Sequence, residues 1–85
     1  MKIISTRRFE KSYRKLPDKT RKKFAKQLTY LLENSQHPSL GVRKLQGEVG
    51  LWEARVDYRY RFVFSYSNDA IVLLNIGTHQ IYERV

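Results

Sequence analysis

Glu53, Arg55, Arg59, Arg61, His79 and Tyr82 are side chains that a buried core does not call for, and all lie in the last third of the chain. The stretch that holds them is LWEARVDYRYRFVFSYSNDAIVLLNIGTHQIY, Leu51 to Tyr82. A carboxylate, several guanidiniums and an imidazole are the groups that binding and cleaving a phosphodiester requires. Cleaving RNA through its own 2′-hydroxyl needs a base for that proton, a cation for the phosphorane and an acid for the leaving oxygen. Glu53 or His79 suits the base role. His79, or less readily Tyr82, suits the acid role, because free imidazole titrates near neutrality. Arg55 and Arg61 suit charge stabilisation, since guanidinium matches phosphate oxygens in a bidentate way. The plainer account is a Glu–Arg network on an exposed sheet face, worth under about 1 kcal/mol per pair, with His79 as a packing or capping residue. The sequence has no metal-ligand spacing, nucleophile motif or phosphate-cradling glycine loop, so neither a metal nor a cofactor is expected.

Strand parity decides whether those groups share a side. Trp52, Ala54 and Val56 share one face, and Glu53 and Arg55 the other. Tyr60, Phe62 and Phe64 share a face, and Arg59, Arg61 and Val63 the other. A hairpin turning at Asp57-Tyr58-Arg59 sets Val56 opposite Tyr60, Ala54 opposite Phe62 and Trp52 opposite Phe64. That register gathers these residues on one side, and a slip of one residue reverses it. It also sets Arg55 opposite Arg61 with Glu53 one step along. Facing arginines repel unless something anionic lies beside them, and Glu53 can offset one of them. Asn68-Asp69 marks the next turn. Ala70–Ile76 is apolar nearly throughout, as for a strand covered on both faces. Gly77-Thr78-His79 ends it.

Upstream, Lys2–Ser5 has the composition of a short strand. Thr6 is placed to cap a helix in which Phe9, Tyr13 and Leu16 recur at i, i+4 and i+7. Pro17 interrupts that pattern and suits the first turn of a second helix, running from Pro17 or Asp18 to about Ser35. Its apolar stripe is Phe24, Leu28, Leu31 and Leu32, with the lysines mostly off it, so a helical hairpin with an apolar inner and a basic outer side is expected. Residues 36–50 contain Pro38, Gly41, Gly47 and Gly50 and read as a loop, with room for a short strand at Val42–Leu45. His37 reads there as an exposed surface residue. The fold class is α+β, ordered β-α-α-β-β-β, with the helical hairpin on one face of a twisted antiparallel sheet. At 85 residues, a single domain over 1–85 is expected.

Residues 1–26 hold 11 Lys and Arg against 2 acidic residues, while residues 27–85 hold 6 of each. The whole net charge of +9 therefore sits on the N-terminal segment. Such a one-sided field attracts polyanions in a salt-dependent, sequence-blind way. The residues expected to meet nucleic acid are Arg7, Arg8, Lys11, Lys15, Lys19, Lys22, Lys23 and Lys26, joined by Lys44 and Arg59. An acidic protein partner, or a solvated helix face, accounts for the same field. There is no Cys, so disulfides and Cys-type zinc sites are excluded and a reducing compartment is the simple reading. The N-terminus lacks the apolar core of a signal peptide, and Ala70–Leu74 is far too short an apolar run to span a bilayer. A soluble, cytoplasmic protein without a membrane partner is expected.

LWEARVDYRYRFVF followed by IVLLNIGTHQIY, with Lys44–Gly47 (KLQG) and the basic helical hairpin before them, resembles the RelE/ParE superfamily of bacterial toxin–antitoxin toxins. The resemblance covers most of the chain. Each short motif is degenerate, while their order and spacing together are fairly specific. For RelE-like members it implies a ribosome-dependent endoribonuclease, an mRNA interferase that inhibits translation by cutting mRNA in the decoding site. It also implies a cognate antitoxin that typically wraps the toxin, and operator DNA bound by the pair. Arg61 in Tyr60-Arg61-Phe62 matches the superfamily's strand arginine. Glu53 and Arg55 fall where RelE itself has lysines, and a Glu there is closer to the YoeB-like pattern of a carboxylate base with a histidine. His79 matches the YafQ-like Gly-Thr-His ending, and Tyr82 lies near the C-terminal aromatic that many members use. The missing lysine pair departs from RelE's own proton-transfer scheme and leaves cleavage by Glu53 and His79 open.

Three readings follow. The set Glu53, Arg55, Arg61 and His79 favours an mRNA interferase, because a toxin that acts by binding needs no acid–base pair. A ParE-like toxin that inhibits DNA gyrase is the second. A non-toxic basic binding protein on the same fold is the third.

Overall fold

The structure, a computed structural model, describes residues 1–78. Its elements run β1 (Lys2–Ser5), α1 (Arg7–Arg14), α2 (Asp18–Glu33), β2 (Arg43–Lys44), β3 (Trp52–Arg55), β4 (Arg61–Ser67) and β5 (Ala70–Gly77). The strands form one sheet in the order β1-β5-β4-β3-β2. The pairs β2–β3, β3–β4 and β4–β5 are antiparallel, as expected, and β2 falls inside the Val42–Leu45 segment. β1 departs from the antiparallel expectation. It runs parallel to β5, with Ile3 opposite Ile71 and Ile4 opposite Val72, so the sheet is mixed. The two helices of the connection between β1 and the later strands make that parallel return possible.

Thr6 fixes the turn from β1 into α1. Its hydroxyl oxygen accepts from the Phe9 N–H at 3.1 Å, and the hydroxyl donates to the carbonyls of Leu73 and Leu74 on β5. One side chain thus caps the helix and holds it to the sheet. From there an aromatic chain crosses the layers. Phe9 packs on Tyr13 and Phe24, and Phe24 meets Phe62 of β4 edge-on with ring centroids 5.1 Å apart. Phe62 and Phe64 are fully buried, alongside Leu31, Leu40, Ile71, Leu73 and Ile76. Losing a core aromatic such as Phe62 costs about 3–5 kcal/mol.

α2 ends at Glu33, two residues before the expected Ser35, and its buried line differs from the apolar stripe read from the sequence. Thr20, Phe24, Gln27 and Leu31 face inward, while Leu28 is half-buried and Leu32 is 42% exposed. Gln27 can occupy an inner position because its amide is satisfied there. Nε2 donates to the carbonyls of Ser39 and Arg55, and Oε1 accepts from the Ser39 hydroxyl.

The β3–β4 register is the one parity demands: Trp52 opposite Phe64, Ala54 opposite Phe62, Arg55 opposite Arg61. Between β4 and β5 the pairing shifts at Val63/Phe64, where Val63 faces Asn75 but Phe64 faces Leu73. The extra residue, Leu74, lets β5 bend under α1. Ile71, Leu73 and Ile76 are buried against the helices. Val72 and Leu74 are only half-buried, so the second face of β5 is less covered than expected.

Candidate phosphate-binding cleft

The sheet face away from the helices carries the charged side chains. Across its middle runs a buried row of Glu53 and Val63, neighbours on β3 and β4, whereas Asn75, opposite Val63 on β5, turns its side chain to α1, where Oδ1 accepts from the Ser12 hydroxyl at 3.0 Å. Glu53 is satisfied by β2: Arg43 stands opposite it and its Nε donates to Oε1 of the carboxylate. The Glu53 side chain is 5% exposed and that of Arg43 74%, so the pair joins a buried anion to a cation that reaches into solvent. The arginine that offsets Glu53 is therefore Arg43, rather than Arg55 or Arg61 as expected.

The next row holds Arg55 and Arg61 face to face. Arg61 is half-buried, and its Nη1 donates to the carbonyls of Asp57 (2.7 Å) and Tyr60 (3.2 Å). Those acceptors belong to the β3–β4 turn, which Asp57 builds. Its Oδ1 accepts from the backbone N–H groups of Arg59 (2.8 Å) and Tyr60 (2.9 Å), the usual device by which an Asp closes a turn. Its Oδ2 pairs with Lys23 of α2 at 3.2 Å. Burial alone would raise the Asp57 pKa, but the N–H groups of Tyr60 and Arg59 and the Lys23 ammonium outweigh it, and the pKa is lowered. Neutral carbonyls hold Arg61 while Asp57 spends its charge on the turn and Lys23, so Arg61 keeps its positive charge for another anion. Arg55 likewise has no carboxylate partner among the described residues.

Gly41, Arg43, Glu53, Ala54, Arg55 and Arg61 line a cleft of about 190 Å³. Three guanidiniums and one carboxylate give it a formal excess of two positive charges. A larger hollow of about 540 Å³ lies under the 44–52 loop, lined by Leu45, Gly47, Val49, Gly50, Leu51 and Trp52 among others. Its lining is mostly apolar and its two charged residues, Lys44 and Glu48, cancel, whereas the smaller cleft is net positive, so a phosphate favours the smaller cleft.

The structure brings together Glu53, Arg55 and Arg61, and it adds Arg43 and Gly41. Arg43 was legible only as part of a loop strand. His79 and Tyr82 lie outside the described residues. The register places Gly77 directly opposite Arg61. Arg7, Arg8 and Lys11 are exposed on α1, Lys15 at its C-terminal cap, and Lys19, Lys22, Lys23 and Lys26 on α2, in the layer across the sheet from the cleft. Lys23 is engaged by Asp57, and Lys26 lies over the Tyr30 ring. Lys44 sits over the Trp52 ring, on the opposite parity from Arg43, and Arg59 projects from the hairpin turn. His37 is half-buried and stacks on Tyr30 with centroids 3.9 Å apart, so it is a packing residue rather than an exposed one.

The fold matches solved toxin structures over nearly the whole chain. A YoeB/ParE toxin from Agrobacterium tumefaciens superposes with a TM-score of 0.79 at 18% identity, covering 93% of this chain and 99% of that one. YafQ from E. coli gives 0.78 at 17% identity, covering 93% of each chain. The archaeal RelE–RelB complex from Pyrococcus horikoshii gives 0.72 at 21% identity, covering 91% of this chain and 92% of that one. No protein of curated function matches in sequence. The family model for the ParE toxin of type II toxin–antitoxin systems (parDE) matches residues 3–81. The chain therefore belongs to the ParE toxin family, within the RelE/ParE superfamily of type II toxins. No helix among the described residues is long and apolar enough to cross a membrane.

Proposed function

We propose that this toxin is an endoribonuclease that cuts mRNA on the ribosome and so inhibits translation, without a metal or other cofactor. The observation that carries the proposal is the cleft in which Arg43, Arg55 and Arg61 surround a buried carboxylate. A phosphodiester seated there meets two arginines whose charge no carboxylate among the described residues neutralises. Attack of the ribose 2′-oxygen on the adjacent phosphorus adds negative charge to the phosphoryl oxygens, and Arg55 and Arg61 stabilise it. Glu53 takes the 2′-hydroxyl proton once Arg43 turns from it to the phosphate. His79 returns a proton to the departing 5′-oxygen, and Tyr82 is the other donor the tail carries. The bond from phosphorus to the 5′-oxygen breaks, leaving a 2′,3′-cyclic phosphate and a 5′-hydroxyl.

The basic helices supply a second, less specific hold on ribosomal RNA through Arg7, Arg8, Lys11, Lys15, Lys19, Lys22 and Lys26. An acidic antitoxin is the protein partner, by analogy with the similar DinJ–YafQ and RelE–RelB complexes. The toxin–antitoxin pair binds operator DNA, and the site of action is the cytoplasm.

The ParE family match favours a second reading, inhibition of DNA gyrase by binding alone. YoeB, YafQ and RelE structures share the fold equally, so the family name does not decide between the two. A translation extract does. The wild type should cut mRNA, and Arg61→Ala and His79→Ala should each lose about 10²-fold or more of that cleavage. An uncut message together with inhibited gyrase supercoiling would establish the second reading, and unchanged cleavage by both variants would remove the site assignment.

A further inference from the structure

Among the described residues no carboxylate holds Arg55 in the cleft, and a different kind of support takes that place. Its guanidinium lies against Gly41, where an added Cβ would meet Nη2 at 2.8 Å, Cζ at 3.0 Å and Nε at 3.2 Å. Gly41 has φ of +54°, in the left-handed region that side chains disfavour. The backbone conformation favours glycine, and any side chain there would displace the Arg55 guanidinium.

The loop that carries Gly41 is also fastened to the strand that carries Arg55. The Arg55 N–H donates to the Leu40 carbonyl at 2.7 Å. The Arg55 carbonyl accepts from Nε2 of Gln27 at 3.0 Å, and the same nitrogen donates to the Ser39 carbonyl at 3.2 Å. The Ser39 hydroxyl completes the amide by donating to Oε1 at 3.3 Å. Gln27 therefore links α2, the 39–41 loop and the peptide of Arg55 through one buried side chain. Arg61 is held by direct hydrogen bonds to its guanidinium. Arg55 is held by the shape of the loop beneath it and by the fastening of that loop.

We propose that Gly41 and Gln27 are positioning residues for Arg55, setting where its guanidinium meets a phosphate oxygen. The proposal rests on reading the cleft as a phosphodiester site. Displacing a reacting group by about 1 Å can cost about 10²-fold in rate, so this support matters as much as the charge it places.

A double-mutant cycle tests it. Gly41→Asn tolerates the left-handed backbone better than other side chains do, so it isolates the contact with Arg55. Gln27→Met removes the fastening at an independent position. Two readouts are taken on variants shown to be folded by circular dichroism: single-turnover cleavage of ribosome-bound mRNA, and the Arg55 Nε–Hε resonance during titration with inorganic phosphate. Each variant should lower cleavage about 10- to 100-fold and move the Arg55 resonance. In an Arg55→Ala background each should lower the remaining cleavage by less than about twofold, because the group they position is gone. Equal losses in both backgrounds, or an unmoved Arg55 resonance, would overturn the proposal. A wild type that does not cut would remove the phosphodiester reading, and the resonance with its phosphate titration would still decide whether Gly41 and Gln27 place Arg55.

Discussion

Asp57 builds the turn that holds Arg61, so Asp57→Ala should weaken the fold and the cleft together. The side chain is 17% exposed and makes two hydrogen bonds to backbone N–H groups and one ion pair. Two hydrogen bonds to a charged acceptor, taken at about 1–1.5 kcal/mol each because water reaches the turn, give about 2–3 kcal/mol. Lys23, 44% exposed, adds less than about 1 kcal/mol. The expected loss is about 2–4 kcal/mol, a large part of the roughly 5–15 kcal/mol that holds a domain together. Asp57→Asn keeps an acceptor for the turn and should lose about 1 kcal/mol.

The pH dependence has a definite sign. The folded-state pKa of Asp57 lies below its ordinary value of 3.8, with burial outweighed by the Tyr60 and Arg59 N–H groups and Lys23. A depressed carboxyl stabilises the fold fully above the ordinary value and loses that contribution as pH falls through the folded one. The gap between wild type and Asp57→Asn in urea denaturation should therefore be constant well above pH 3.8 and shrink below it. A loss under about 0.5 kcal/mol for Asp57→Ala, or a gap that widens on acidification, would refute the account of this turn.

Other variants probe other layers. Phe62→Ala should cost about 3–5 kcal/mol in thermal or urea denaturation, since the ring is fully buried against Phe24. Thr6→Ala removes a helix cap and two bonds to β5, and should cost about 1–2 kcal/mol by the same measurement. Replacing Lys19, Lys22 and Lys26 together by Gln should leave stability within about 0.5 kcal/mol. It should also reduce the slope of log affinity for single-stranded RNA against log salt by about 2, at roughly 0.7 per lost phosphate contact.

The legible parts of the fold were those where a pattern admits one solution. The β3–β4 hairpin is such a case: alternation leaves a single register with Trp52, Ala54, Val56, Tyr60, Phe62 and Phe64 on one side, and that register sets Arg55 opposite Arg61. Lys2–Ser5 carries no comparable constraint. Four residues with two isoleucines fit beside a neighbour in either direction, and the parallel pairing with β5 comes from the helical connection. In α2 the apolar residues misled at one end. Leu32 is exposed while Gln27 is buried, because an amide with a full set of partners pays little for leaving water.

The candidate site was legible in its charges and not in its supports. Glu53, Arg55 and Arg61 follow from residue type and parity. Arg43 comes from a two-residue strand too short to show a period, yet it is the partner of Glu53. Gly41 reads in the sequence as one loop glycine among several. Only the position of the Arg55 guanidinium shows what a side chain there would displace. Asp57 reads as a turn residue, and the turn's carbonyls prove to be what orients Arg61.

The most direct test of the account is the chemistry of the cut ends. Ribosome-bound mRNA treated with the wild-type toxin, in buffer containing a chelator but enough magnesium to keep the ribosome assembled, is analysed by mass spectrometry. Attack by the 2′-hydroxyl in the arginine cleft predicts fragments ending in a 2′,3′-cyclic phosphate and beginning with a 5′-hydroxyl, and predicts their loss in an Arg55→Ala, Arg61→Ala double variant. Intact message, or ends bearing a 3′-hydroxyl and a 5′-phosphate, would contradict it.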